Sequence, residues 1–118
     1  MAKILVVDDE KMIASALQRV LAKSGHEVKT ASNGLEAIQL LEGENFSLIF
    51  LDLLMPEMNG SDLMEWLRVH RPQAKYIVMT AYGDQAAKET IMQKGAQLIL
   101  AKPFENILEI PKLVERLL

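Results

Sequence analysis

The chain has no cysteine, which excludes thiol nucleophiles, disulfide staples and cysteine-ligated zinc or iron-sulfur sites and fits a reducing compartment. It also lacks any long apolar run. The stretch Ile4–Val7 stops at Asp8, and Leu48–Met55 is interrupted by Asp52, so neither could serve as a signal-peptide core or a membrane-spanning helix. A soluble, cytoplasmic protein is expected. The 13 basic residues form no run and the formal net charge is −3, so the electrostatic footprint of a nucleic-acid binder is missing. Direct nucleic-acid contact is therefore not expected. No Walker loop, dinucleotide fingerprint or nucleophile elbow occurs, which leaves nucleotide hydrolysis and hydride transfer without support. Low-complexity tracts, linkers and solenoid repeats are absent as well.

What is present reads as one domain spanning 1–118. At 13.2 kDa, half apolar and a quarter charged, the chain can bury roughly two thirds of its unfolded surface in a single core. Short aliphatic runs recur at even spacing: Ile4–Val7, His26–Thr30, Ser47–Leu51, Tyr76–Thr80 and Gln97–Ala101. These predict five strands. Most lack polar alternation, the mark of strands covered on both faces in a parallel sheet. Between them, helical spacing links Ile13, Leu17, Val20 and Leu21, then Leu35, Ile38 and Leu41, then Leu63, Trp66 and Leu67. Turn residues agree with that division: Gly25 closes the first helix, Asn33-Gly34 opens the second and Gly43 ends it, Pro72 follows the third, and Gly95 ends the fourth.

A β-α repeat with such short connections favours parallel pairing by right-handed crossovers. The fold expected is α/β, a flavodoxin-like (βα)5 doubly wound parallel sheet of order 2-1-3-4-5, with ligands beyond the carboxyl ends of the strands. That edge carries the polar residues. The first strand runs into Asp8-Asp9, the third into Asp52, the fourth into Thr80 and the fifth into Lys102-Pro103. Singly, most have an ordinary reading: Asp8 or Asp9 as a helix N-cap, Thr80 as a β-former, Lys102 as surface charge, Pro103 as a turn residue. Asp52 is different, because an ionised carboxylate inside Leu48-Ile49-Phe50-Leu51-Asp52-Leu53-Leu54 needs a partner to offset its desolvation.

Three aspartates at one edge repel unless something positive sits among them. A divalent cation answers this, and oxygen-only ligands without His or Cys suit Mg2+, which also accepts phosphate oxygens. Three carboxylates are then balanced by the ion and Lys102. An arriving phosphoryl group would find a lysine and a hydroxyl placed for its oxygens, and a carboxylate able to form an acyl phosphate. In such a site positioning and charge stabilisation supply most of the catalysis.

These residues resemble the receiver domain of two-component response regulators from Lys3 to Leu118. The matching segments are Ile4-Leu5-Val6-Val7-Asp8-Asp9-Glu10, Asp52-Leu53-Leu54-Met55-Pro56-Glu57-Met58-Asn59-Gly60, Thr80-Ala81-Tyr82-Gly83 and Lys102-Pro103-Phe104. Their order makes the set specific where each alone is weak. The resemblance implies that Asp52 is the phosphoacceptor and that Asp8 and Asp9 hold Mg2+, Asp9 directly and Asp8 partly through water. It implies the Leu54 backbone carbonyl as a further ligand. By the same likeness Thr80 is the switch hydroxyl, Lys102 the cation that pairs with the phosphoryl group, and Lys102-Pro103 a cis bond. The implied donor is a histidine kinase or histidine phosphotransfer protein. The output is a changed surface over the fourth helix, fifth strand and fifth helix, read by an effector domain or downstream protein or by weak dimerisation.

Departures from the family pattern carry expectations of their own. Ile99 stands where the family often has the switch aromatic, and Asn59 where it often has Asp. Pro111 should delay the last helix to about Ile110 or kink it, with Ile110, Leu113, Val114 and Leu117 packing inward. Leu54 and Tyr82 occupy the two positions that tune phosphate lifetime, and neither can act as a general base, so slow self-hydrolysis is expected. His26 and His70 read as surface or boundary residues. Met55 and Met58 read as exposed loop residues able to touch a partner, unlike the other methionines, which read as gap-fillers. Two rival functions are a Mg2+-dependent aspartyl-phosphate phosphatase and a degenerate receiver used as a scaffold. The first expects a second aspartate where Leu54 stands, and the second expects loss of Asp9, Asp52 or Lys102.

Overall fold

The computed structural model describes residues 2–53, 55, 58–81 and 85–118, the side chains of 85–87 excepted. The elements alternate as expected. Strands β1 (Lys3–Val7), β2 (Glu27–Ala31), β3 (Leu48–Asp52), β4 (Tyr76–Thr80) and β5 (Leu98–Ala101) form one parallel sheet of order β2-β1-β3-β4-β5. Helices α1 (Lys11–Lys23), α2 (Gly34–Gly43), α3 (Gly60–His70), α4 (Gln85–Gln93) and α5 (Ile110–Leu117) are interleaved with them. This is the flavodoxin-like doubly wound fold.

Alternation along the strands divides the core in two. Leu5, Val7, Ile49, Leu51, Tyr76 and Val78 pack under α2, α3 and α4, against Ala37, Leu41, Leu63, Leu67 and Ile91. Ile4, Val6, Leu48, Phe50, Ile77 and Met79 face Ala14, Leu17 and Leu21 of α1 and Ile110 and Val114 of α5. The interior strands β3 and β4 are buried throughout, as their unbroken aliphatic runs require. The outer strands differ. β2 and β5 are only partly covered because each has a neighbour on one side alone.

Punctuation residues act through specific bonds. At Gly25 (φ +93°) and Gly95 (φ +116°) the chain enters the left-handed region that glycine adopts without strain. Each closes its helix with a paired motif: Gly25 N–H donates to Ala22 O and His26 N–H to Leu21 O, and Gly95 N–H donates to Met92 O and Ala96 N–H to Ile91 O. Asn33 caps α2 by accepting the Glu36 N–H at 2.9 Å, and Asn59 caps α3 by accepting the Asp62 N–H at 3.0 Å. Pro111 does delay the last helix. A 3-10 turn over Ile107–Glu109 precedes α5, and Pro111 sits in its first turn, where a missing donor removes no helical bond.

Three sequence readings need correction. Met55 is buried in the core cluster under α3, and Met58 is partly buried, its side chain close to Gly34, so neither is a free loop side chain. His26 is buried, with Nδ1 accepting the Ala2 N–H at 3.0 Å, which ties the start of β1 to the entry of β2. Neither Asp8 nor Asp9 caps α1; the N-cap is Glu10. His70 is exposed as expected, and its ring stacks on Trp66 at 4.5 Å between centroids.

Candidate functional site

The parallel register delivers four residues to one edge. Asp8 follows the last residue of β1, Asp52 and Thr80 end β3 and β4, and Lys102 follows β5. All three of Asp8, Asp52 and Thr80 are buried, and the side chain of Lys102 is only 7% exposed. Burying charge demands partners, and the bonds present supply them. Lys102 Nζ lies 3.0 Å from Asp8 Oδ2, 3.0 Å from Glu10 Oε1 and 3.4 Å from Asp52 Oδ2. The other oxygen of Asp8 accepts the Glu10 N–H at 2.9 Å. The Lys102-Pro103 bond is cis.

The surrounding carboxylates keep Lys102 protonated. Burial acts most strongly on Lys102 and lowers its affinity for the proton. The hydrogen bonds to Asp8 and Glu10, with the charges of Asp8 and Asp52, outweigh it and hold the ammonium above its ordinary value of 10.5. Three carboxylates against one ammonium leave the cluster two charges negative.

Among the described residues, one atom each from Asp8, Glu10 and Asp52 lie within 4.8 Å of one another, a grouping able to hold a cation. Hard carboxylate oxygens with a net charge of minus two match a small divalent ion such as Mg2+. Asp9 is exposed and is not in that grouping, and Leu54 and Tyr82 lie outside the described residues. Sequence reasoning did not single out Glu10. The available signal was its place one residue beyond the acidic pair, at a helix start where a Glu is a poor cap.

A doubly wound sheet with buried carboxylates and a lysine converging at its carboxyl edge places the chain in the class of α/β proteins whose polar site lies beyond the strand ends. Within that class the chain belongs to the response regulator receiver domain family, whose model matches residues 4–115. It is 37% identical over 117 residues to the transcriptional regulatory protein SrrA of Staphylococcus aureus, covering 97% of this chain and 48% of SrrA. The chain thus spans about half the length of the curated relatives it matches. Among solved structures it is similar to the receiver domain of a Francisella response regulator, with TM-score 0.92 and 30% identity over 99% of this chain and 96% of that one. It also resembles the Thermotoga maritima response regulator TrrA, solved in complex with Mg(2+)-BeF, with TM-score 0.86 and 35% identity over 100% of both chains. Vibrio cholerae chemotaxis protein CheY4 matches with TM-score 0.91 and 31% identity, covering 100% of this chain and 99% of that one. The chain is a receiver domain of a two-component response regulator, a signalling domain. Among the described residues no helix is long and apolar enough to cross a membrane.

Proposed function

We propose that residues 1–118 act as one phosphoacceptor domain, with Asp52 taking the phosphoryl group from a phosphohistidine of a histidine kinase or histidine phosphotransfer protein. The carrying observation is Lys102, whose ammonium contacts both buried carboxylates, Asp8 and Asp52, at the strand ends. A carboxylate oxygen of Asp52 attacks phosphorus, the P–N bond breaks as the new P–O bond forms, and the imidazole leaves after taking a proton. Lys102 follows the charge onto the phosphoryl oxygens, and the Thr80 hydroxyl donates to one of them.

Asp8 and Asp52, with Asp9 and the Leu54 carbonyl as further donors, are the residues that would hold Mg2+. When bound, it supplies positive charge that lets an anionic phosphoryl group approach an anionic site. The Mg(2+)-BeF complex of the similar TrrA supports this reading.

The output is a two-state change over α4, β5 and α5, presented to an effector domain or downstream protein or used for weak phosphorylation-dependent dimerisation of a monomer. Ile99, Leu100, Phe104, Ile110 and Leu113 line a cleft of about 300 Å³ on that side, an apolar surface for such contact. The role is signalling in the cytoplasm, not metabolic catalysis. Incubation with acetyl phosphate tests the reading. Intact-mass measurement should show one phosphoryl group gained by the parent only with Mg2+, and none by Asp52→Asn; equal modification of both proteins would reject the acceptor.

A further inference from the structure

We propose that Glu10 is a positioning residue for Lys102, holding its ammonium in the unphosphorylated state and releasing it when a phosphoryl oxygen arrives. The inference rests on Asp52 being the acceptor.

Two independent features carry it. Glu10 occupies the N-cap of α1 with extended backbone (φ −85°, ψ 104°), the place where a short polar side chain bonds the first free N–H groups. Its side chain makes no capping bond and instead reaches the end of β5, 92 residues away in sequence, to accept from Lys102 Nζ at 3.0 Å. The position forgoes helix stability for a contact with the site.

The second feature is how the ammonium is held. Lys102 donates to Asp8 and Glu10 at 3.0 Å each and lies 3.4 Å from Asp52. A phosphoryl group on Asp52 would carry its oxygens beyond Asp52 Oδ2, and the ammonium can close on one only by moving away from a carboxylate that holds it now. Asp8 has a fully buried side chain whose second oxygen is already engaged, so its withdrawal would strand a charge. Asp52 carries the new group. Glu10 has a side chain 60% exposed and can turn into water with little loss. Glu10 therefore stabilises the unphosphorylated form selectively and sets the ease of switching.

The test compares the parent chain with Glu10→Gln, which removes the charge, and Glu10→Asp, which keeps the charge, is one methylene too short for Lys102 and can cap α1. Beryllofluoride is titrated at saturating Mg2+ and followed by 19F NMR; Mg2+ affinity alone and thermal unfolding are measured in parallel. Both variants should bind beryllofluoride about two- to five-fold more tightly, the range that a largely exposed ion pair allows. Their Mg2+ affinity should stay within about two-fold of the parent, and Glu10→Asp should unfold at a higher temperature through its new cap. Unchanged or weaker beryllofluoride binding by both variants overturns the proposal. So does a gain confined to Glu10→Gln, which is charge alone, or a tenfold loss of Mg2+ affinity in Glu10→Gln, which makes Glu10 a cation ligand. A parent that binds no beryllofluoride would fail at Asp52 itself; a parent that binds it while both variants match would fail at Glu10 only.

Discussion

Gly60 lies directly behind Asp52. A Cβ built on Gly60 would sit 2.7 Å from Leu53 Cα and 3.0 Å from the carbonyl carbon of Asp52, and the Gly60 N–H donates to Leu53 O at 3.0 Å. The start of α3 and the end of β3 are thus in backbone contact, and no side chain fits between them.

Gly60→Ala should therefore destabilise the fold by about 1–3 kcal/mol, as overpacking does, and slow phosphoryl acceptance by displacing the Asp52 backbone. Gly43, at the end of α2, has nothing within 4 Å of such a Cβ. Gly43→Ala should instead stabilise by about 0.5 kcal/mol through helix propensity and leave acceptance unchanged. Urea unfolding and acetyl phosphate kinetics on the two variants check the pair.

Cluster charge predicts a link between ions and stability. With Asp8, Glu10 and Asp52 set against Lys102 alone, Asp52→Asn should raise stability without Mg2+ by on the order of 1 kcal/mol. Parent stability should rise with Mg2+, by about 2.7 kcal/mol at a hundredfold excess over the dissociation constant, and the response of Asp52→Asn should be blunted. Thermal unfolding with Mg2+ and with chelator measures both effects.

Alkaline pH should destabilise the protein through two groups. Lys102 is held above 10.5 by the balance described above, and burial raises the Tyr76 phenol above 10.0. Both bind their proton more tightly folded than unfolded. Their contributions are complete below the unfolded values and are lost as pH rises through the folded ones, so stability should fall from about pH 10 upward. Tyr76 also donates to Lys94 O at 2.9 Å. Tyr76→Phe should cost about 1 kcal/mol near neutral pH and make the alkaline decline shallower, which urea unfolding across that range would show.

Leu54 has no group able to activate water. Leu54→Asn should shorten the lifetime of the phosphorylated form, measured as the decay of the phosphoprotein after acetyl phosphate is removed; an unchanged decay would count against a shielding role for Leu54.

Strand order and the convergence of Asp8, Asp52, Thr80 and Lys102 were legible in the sequence because both follow from local rules. Unbroken aliphatic runs mark buried parallel strands, and a polar residue ending each run marks the carboxyl edge. The delayed start of α5 was equally readable from Pro111. What escaped depended on contacts between distant segments. The bond from Glu10 to Lys102 spans 92 residues, and its one local sign is a poor capping residue at the start of α1. Burial of Met55 and His26 likewise arises from how loops fold back over the sheet, not from their neighbours in sequence.

The central claim is that one carboxylate, Asp52, carries the phosphoryl group. Borohydride reduction converts an acyl phosphate to an alcohol, leaving homoserine in place of the aspartate, and peptide mapping then locates it. After phosphotransfer in Mg2+, homoserine should occur at position 52 alone and vanish when a chelator is present. Homoserine at position 8 or 9, or undiminished labelling under chelation, would contradict the account.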